Sequence, residues 1–174
     1  MYGNNKKLFE AIKANDIESL KQCFNEGFDI HAHAEYGLSL LHYACECRNT
    51  SIEMIDFLIS SGIDVNIRDN YDRTPLMEAI IINKPIKFIQ FLISSGADVN
   101  AVDSNGETPL HFASSGSLDL IKLLIEHGAD VNVKTKECVS PLTRAVSWKR
   151  FDNAFYILQK MKEKYIKDRT SNNN

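Results

Sequence analysis

The chain has 174 residues, of which 44% are hydrophobic, and this is enough for one ordinary domain with a sizeable core. Its net charge of −3 excludes a general electrostatic attraction to nucleic acid. The charge is uneven, because residues 1–148 hold 13 Lys and Arg against 20 Asp and Glu, whereas residues 149–174 hold 7 against 3.

The first segment, residues 1–33, carries apolar residues at helical spacing. The pattern predicts amphipathic helices that cover one end of a larger core and turn their Lys and Glu residues toward water. The residues predicted to be buried are Leu8, Phe9, Ile12, Ile17, Leu20 and Phe24.

Two short phrases then recur along the chain in a fixed order. The first reads SLLHYA, TPLMEA, TPLHFA and SPLTRA at residues 39–44, 74–79, 108–113 and 140–145, with intervals of 35, 34 and 32 residues. The second begins with Gly and has Asp as its third residue, at residues 27–31, 62–66, 96–100 and 128–132. Two phrases that share a period near 33 residues predict a stacked array of repeats.

The third full copy, residues 103–134, shows how one repeat is built. Residues 103–106 are turn-forming, Thr108 suits a helix N-cap, and Pro109 suits the first helical position. A second helix with apolar residues at helical spacing ends near Gly128, which suits a left-handed C-cap. Each repeat is therefore predicted to be a turn, two helices and a loop, and it cannot bury its apolar face alone.

This pattern resembles the ankyrin repeat family, whose signature is Thr-Pro-Leu-His-x-Ala followed by a second helix and Gly-Ala-Asp-Val-Asn. The resemblance implies an all-α solenoid of stacked helix-turn-helix units with projecting β-turn or hairpin loops. It implies a single domain over residues 1–168, with repeats at 1–33, 34–68, 69–102, 103–134 and 135–168. Residues 169–174 are predicted to be a disordered tail.

Five positions depart from the family pattern. Leu40 replaces the signature Pro, and Asp72 and Cys138 stand where the turn usually has Gly. Because Cys adopts positive φ poorly, the turn at Cys138 is expected to be adjusted. Met77 and Thr143 replace the signature His, which in the family hydrogen-bonds within and between neighbouring turns, so the second and last turns are expected to be held less firmly.

Few residues suggest catalysis or metal binding. His42 and His111 occupy the signature position and are interpreted as structural. His31 and His33 form an alternating pair near Cys45 and Cys47 in sequence, which suggests a zinc site, but the spacing does not match known structural zinc motifs. No phosphate-binding loop, metalloprotease helix or nucleophile elbow is present. We therefore expect no enzymatic activity, no cofactor and no metal.

The resemblance places partner binding in a concave groove lined by the turns and the first helices. Large side chains that the repeated phrase does not require are candidates for this role, since Tyr, Trp and Arg dominate interface energetics. The alternative for Ile81 and Trp148 is packing between repeats. The candidate partner-binding residues are Tyr36, Leu38, Tyr71, Arg73, Ile81, Ile82, Glu107 and Trp148.

The sequence thus predicts a non-catalytic protein–protein interaction module. The partner is expected to be another protein with a basic or mixed surface, because the body of the chain is acidic. Nucleic acid is not expected as a partner, and the chain is expected to be a monomer. The alternative is a scaffold or targeting arm that acts through the basic C-terminal helix, although that helix could simply cap the core.

The expected location is the cytoplasm. The four cysteines form no disulfide framework, no signal peptide is recognisable, and no apolar stretch is long enough to span a membrane. Secretion as an effector into a host cell is the alternative that the family leaves open.

Overall fold

The structure, a computed structural model, describes residues 5–171, and for Ser171 the backbone alone. Within this range the chain forms ten α-helices and no β-strand, with one isolated antiparallel bridge between His33 and Ser39. The helices are α1 (Lys6–Ala14), α2 (Ile17–Asn25), α3 (Leu40–Glu46), α4 (Ile52–Ser60), α5 (Pro75–Ile81), α6 (Ile86–Ser94), α7 (Pro109–Ala113), α8 (Leu118–Glu126), α9 (Pro141–Ser147) and α10 (Phe151–Ser171). One helix pair lies in each predicted repeat.

The repeated phrase sets where the first helix of each repeat begins. The hydroxyls of Ser39, Thr74 and Ser140 accept a hydrogen bond from the backbone N–H three residues later, at 3.3, 3.4 and 3.1 Å. These caps accept hydrogen bonds from backbone N–H groups that have no carbonyl partner in the first turn of an α-helix. The helix α3 begins at Leu40 without the usual proline, so the cap at Ser39 is sufficient.

The chain divides into two compact units, one ending at Asp98 and one beginning at Val99. In the first unit α1 packs on α2 and α3, α3 packs on α4 and α5, and α5 packs on α6. In the second unit α7 packs on α8 and α9, and α10 packs on α9 and α8. A single domain over residues 1–168 stays a prediction.

The core of the first unit matches most of the burial expected from the sequence. Of the residues named for α1 and α2, four are buried, whereas Ile17 and Phe24 are partly exposed. Full burial of these two residues was therefore wrong. The ring of Phe24 instead stacks on that of Phe57 with centroids 5.6 Å apart, at the edge of the helix layer. Cys23, which the sequence did not single out, is buried in their place.

The turn at Cys138 keeps the geometry of the other turns. Cys138 has φ 62°, close to the 59° of Asp72 and the 80° of Gly106. Its N–H donates to the carbonyl of Thr135 at 2.9 Å, as Gly106 N–H does to Asp103. The expectation of an adjusted turn was therefore wrong. The turn holds because the Val139 N–H donates to the Thr135 hydroxyl at 3.1 Å and the Thr135 N–H donates to the Val139 carbonyl at 2.9 Å.

Lys84 is buried, which the sequence did not predict. Its ammonium donates hydrogen bonds to the carbonyl oxygens of Cys47 and, at 3.4 Å, Arg48, beyond the C-terminal end of α3. The same ammonium lies 4.7 Å from the centre of the Phe88 ring. Desolvation on burial lowers the pKa of this lysine. Lys84 thus adds hydrogen bonds to two carbonyl groups just beyond the C-terminal end of α3.

The last helix is longer than expected. It continues to Ser171, into the segment for which the sequence predicts disorder, and residues 172–174 lie outside the described range. An ion pair of 2.8 Å between Lys164 and Asp130 joins α10 to the loop that follows α8. The hydroxyl of Thr170 donates to the carbonyl of Lys167 at 2.8 Å within the last turn.

Candidate partner-binding surface

Two tyrosines meet at the tips of neighbouring turns in the first unit. The ring centroids of Tyr36 and Tyr71 are 6.1 Å apart at an angle of 33°, and the side chains are 62% and 46% exposed. The guanidinium of Arg73 lies 5.6 Å from the centre of the Tyr71 ring, within range of a cation–π interaction. The structure therefore brings together three of the residues that the sequence selects, and it exposes both rings.

The turn that carries Tyr71 is held by a dense set of hydrogen bonds. The buried carboxylate of Asp69 accepts from the N–H groups of Tyr71 and Arg73, each at 2.8 Å. The Nε2 of His42 bonds to the carbonyl of Arg73 at 2.9 Å, and the Asn70 N–H donates to the carbonyl of Tyr36 at 2.9 Å. The two turns are thus fixed to each other and to α3, so the tyrosine pair stands on a rigid support.

Tyr36 has a backbone conformation that tyrosine seldom adopts. Its φ is 60°, in the left-handed region, and the next residue, Gly37, has φ 75°. A Cβ at Gly37 would also meet the side chain of Asn70, which would have to shift, so glycine is favoured there. A non-glycine residue in the left-handed region costs on the order of 1–3 kcal/mol, and such strain clusters at functional positions. This conformation sets the Tyr36 ring beside Tyr71.

Two carboxylates, Glu46 and Glu78, lie on neighbouring first helices, and Glu78 also interacts electrostatically with Arg73. Burial raises the pKa of the half-buried Glu78 carboxyl on α5, and the Glu46 carboxylate on α3 raises it further, whereas Arg73 acts in the opposite direction. The sequence did not single out Glu78. A comparison of the copies could have selected it, because Glu78 is the fifth residue of its phrase and the other copies have Tyr43, Phe112 and Arg144 at that position.

Two isoleucines at the C-terminal end of α5, in the repeat of residues 69–102, differ in exposure. Ile81 is the last residue of α5 and is exposed, whereas Ile82 is its C-cap and is half-buried. Leu38, in the turn that carries Tyr36, is also half-buried. These three residues lie in the same unit as the tyrosine pair.

The remaining two candidates, Glu107 and Trp148, belong to the second unit. Glu107 forms an ion pair with Arg144, and most of its side chain is shielded from solvent. Trp148 is the C-cap of α9 and is 66% exposed, so packing between repeats does not describe it. The structure therefore gathers Tyr36, Tyr71 and Arg73 within one unit and places Glu107 and Trp148 in the other.

The signature histidines support the turns. The Nδ1 of His111 accepts from the Thr108 N–H at 3.1 Å, while Nε2 faces the carbonyl of Val139 at 3.1 Å. A carbonyl can only accept, so Nε2 carries the proton and the imidazole is neutral. Burial lowers the pKa of both His42 and His111. Where Thr143 replaces histidine, its hydroxyl accepts from the Ser140 N–H at 2.8 Å and supplies the local part of this arrangement.

The histidines and cysteines of the possible zinc site lie in different environments. Cys45 is fully buried, and burial raises the pKa of its thiol, whereas His31 and His33 are exposed. Within residues 5–171 no three His, Cys, Asp or Glu side chains are grouped so as to hold a metal ion. No helix in the described part of the chain combines the length and apolar composition needed to cross a bilayer.

Comparison with known proteins agrees with the helix pairs and the turn geometry. A family model described as ankyrin repeats, in three copies, matches residues 8–103 and 81–168. Two proteins named as ankyrin repeat proteins are each 37% identical to this chain. The one from Rickettsia felis aligns over 71 residues, 41% of this chain and 18% of its own length. The one from Acanthamoeba polyphaga mimivirus aligns over 70 residues, which are 40% of this chain and 9% of its own length.

A mitochondrial disaggregase from Bos taurus is 31% identical over 64 residues, which are 37% of this chain and 9% of that protein. The chain thus matches less than a fifth of the length of each of these relatives. Ankyrin repeats are in general non-catalytic modules that bind other proteins. Because the family model covers nearly all of the described residues, the chain belongs to the ankyrin repeat family.

Proposed function

We propose that this protein is a non-catalytic module that binds a protein partner through the turns and first helices of its first unit. The surface consists of Tyr36, Tyr71 and Arg73 with Glu46, Glu78, Ile81 and Ile82, and we call it the tyrosine surface. The exposed pair of Tyr36 and Tyr71 carries the proposal. Two tyrosine rings on rigid turns supply contact area at a low cost in side-chain entropy.

The charges around the pair favour a basic segment of the partner. Glu46 and Glu78 lie on adjacent first helices, and burial already disfavours the charged form of Glu78. A Lys or Arg side chain of the partner beside these carboxylates favours the charged form of Glu78, and a partner cation over the exposed ring of Tyr36 gains a cation–π interaction. Arg73 already occupies the neighbourhood of the Tyr71 ring, so Tyr36 is the better platform for a cation from the partner.

The proposal is tested by affinity capture with the wild-type chain and two matched variants. The first variant is Tyr36→Ala with Tyr71→Ala, and the second is Tyr165→Ala, which removes an exposed tyrosine from α10. Proteins that bind the tyrosine surface should be lost from the first variant and kept by the second. Circular dichroism confirms that both variants fold. An unchanged set of captured proteins in the first variant would overturn the assignment.

The basic C-terminal helix remains the alternative surface. Two of its lysines are engaged within the chain, since Lys160 pairs with Glu163 at 2.8 Å and Lys164 pairs with Asp130 at 2.8 Å. These pairs reduce the positive charge that α10 offers to an acidic partner. Replacing Lys162 and Arg169 by Glu would abolish capture if this helix were the working surface, and would leave it intact if the tyrosine surface is.

A further inference from the structure

The last helix carries exposed apolar side chains along most of its length. Phe155 is 71% exposed, Leu158 is 53% exposed, and Phe151 and Tyr165 are exposed as well. Exposed basic residues continue the same spacing, which alternates between four and three residues and therefore keeps all of these positions on one side of an α-helix. We call this set the α10 strip, and it consists of Phe151, Phe155, Leu158, Lys162, Tyr165 and Arg169.

The α10 strip departs from the earlier repeats in length and in polarity. The second helices α2, α4, α6 and α8 have nine residues each, whereas α10 has 21. The fifth residue of α10 is Phe155, but in α4, α6 and α8 it is Asp56, Gln90 and Lys122. A repeat that ends an array normally presents a polar outer face, because this keeps the array soluble. An exposed apolar strip at this place therefore indicates an interaction surface.

The length and the charges of the α10 strip restrict what can cover it. A further repeat with a second helix of nine residues would cover about the first half of α10 and leave Lys162, Tyr165 and Arg169 exposed. A second copy of the strip would supply two more cations and no Asp or Glu, so Lys162 and Arg169 would gain no counter-charge. A wholly apolar partner would bury the same cations unpaired. The occupant therefore has to offer an apolar layer and negative charge side by side.

We propose that the α10 strip binds the surface of an anionic lipid bilayer, with α10 lying in the plane of the interface. In this arrangement aromatic and aliphatic side chains enter the boundary between headgroups and acyl chains, while Lys and Arg side chains extend to the anionic headgroups. Lys162 and Arg169 then have counter-charges without leaving the strip. Trp148 is exposed three residues before the strip begins, and tryptophan favours the same interface.

The charge of the surrounding segment favours this partner. Residues 149–174 hold 7 Lys and Arg against 3 Asp and Glu, and Lys149 and Arg150 are exposed next to the first turn of α10. Each basic residue near an anionic bilayer adds to the attraction. Residues 1–148 carry net negative charge, so the same bilayer repels the rest of the chain. Both effects favour contact through α10.

The proposal is tested by flotation of the full chain with two kinds of vesicle. One kind is phosphatidylcholine alone, and in the other about a third of the lipid is phosphatidylserine. The wild type should float with the anionic vesicles and stay unbound by phosphatidylcholine alone, and added salt should weaken binding. Trp148 is the single tryptophan of the sequence, so its fluorescence emission should move to shorter wavelength when the chain binds.

A charge variant tests the cations of the strip. Lys162→Glu with Arg169→Glu should lower the partition into anionic vesicles by at least about tenfold, because two attractive charges become repulsive. Lys87→Glu with Lys134→Glu is the matched control, since it changes the net charge equally at exposed lysines outside α10 and should lose clearly less binding. Circular dichroism confirms that both variants fold.

An apolar variant tests the rest of the strip. Phe155→Ser should lower the partition by at least about tenfold, because it removes a large aromatic side chain from the inserted face. Ile86→Ser is the matched control at an exposed apolar residue of α6, and it should bind as the wild type does.

Three results would overturn the proposal. The first is a wild-type chain that anionic vesicles do not bind, and the second is a charge variant that binds as well as its control. The third is an acidic protein as occupant, which would appear as capture of acidic proteins that the charge variant loses while vesicles capture nothing. The tyrosine surface is a separate site, so Tyr36→Ala with Tyr71→Ala should bind vesicles as the wild type does.

Discussion

The Nε2 of His42, on α3, lies 2.9 Å from the carbonyl oxygen of Arg73, 31 residues later in the chain. The bond joins the first helix of one repeat to the turn of the next. That turn carries Tyr71, so the bond fixes part of the tyrosine surface. On its other side the ring meets the Ser39 hydroxyl at 2.9 Å through Nδ1. One buried imidazole thus couples a helix cap to a candidate binding turn.

His42→Met should therefore destabilise the first unit. Methionine is the natural residue at the same position of the next repeat and preserves the apolar volume, but it cannot donate to the Arg73 carbonyl. Loss of this buried hydrogen bond should cost about 1–3 kcal/mol in the free energy of unfolding. Urea denaturation monitored by circular dichroism measures the change. His127→Met, on an exposed side chain at the end of α8, serves as the control, and equal stability of the two variants would contradict the role of His42.

Stability should fall as the pH is lowered from 7 toward 5. The pKa values of His42 and His111 lie below the ordinary 6.5 because burial disfavours the imidazolium. A histidine whose pKa is lower in the folded than in the unfolded state stabilises the fold above about pH 6.5, and this contribution is lost as pH falls. The midpoint of urea unfolding at a series of pH values measures it, and the double variant His42→Met, His111→Met should show a flatter profile.

Glu78 has the opposite effect from the histidines on how stability depends on pH between 7 and 5. Its pKa is raised in the folded state, so its protonation favours the folded chain and stability from this group increases as pH falls. The pH series is therefore best repeated in a Glu78→Gln background, where the loss attributed to the histidines should be steeper. A profile in that background that stays flat between pH 7 and 5 would contradict the buried neutral state of both histidines.

Cys138→Gly should stabilise the second unit by about 0.5–1 kcal/mol. A non-glycine residue with positive φ is strained by roughly 1–2 kcal/mol, and glycine removes that strain at some cost in unfolded-chain entropy. The Cys138 side chain is exposed, so nothing buried is lost. Cys138→Ala keeps the strain and is the matched control. Thermal and urea unfolding of the two variants compare them, and a glycine variant no more stable than the alanine variant would show that the turn is relaxed.

Lys84→Met should lower the free energy of unfolding by about 1.5–3 kcal/mol, the range for hydrogen bonds made by a charged group. Methionine keeps the apolar stem against Phe88 but leaves the carbonyls of Cys47 and Arg48 without the ammonium. Lys87→Met, on an exposed lysine of the same repeat, controls for the change in charge. Comparable loss in both variants would assign the effect to net charge and not to the hydrogen bonds of Lys84 beyond the end of α3.

The parts of this structure that follow from local chemistry were predictable. The caps at Ser39, Thr74 and Ser140, the prolines that follow two of them and the turn glycine Gly106 each have a local physical reason, and the helices begin where these residues require. The positive φ of Cys138 could not be predicted from the residue type alone. The hydrogen bonds between Thr135 and Val139 stabilise the turn in which Cys138 adopts it.

The features that depend on packing between repeats were not predictable from one repeat at a time. The burial of Lys84 requires two carbonyls from 36 and 37 residues earlier, and the environment of Glu78 requires Glu46 on another helix. Comparing the copies did select Tyr36, Tyr71 and Arg73, because the repeated phrase does not require them. Their proximity depends on the stacking of consecutive turns, which the repeat period implies.

The central claim is that the tyrosine surface is where the partner binds, and amide hydrogen exchange with a captured partner tests it most directly. Binding there should slow exchange at the backbone amides of residues 34–39 and 69–74 and toward the end of α5. Exchange in α10 should stay unchanged. Protection confined to α10, with the turns at Tyr36 and Tyr71 exchanging as in the unbound chain, would contradict the claim.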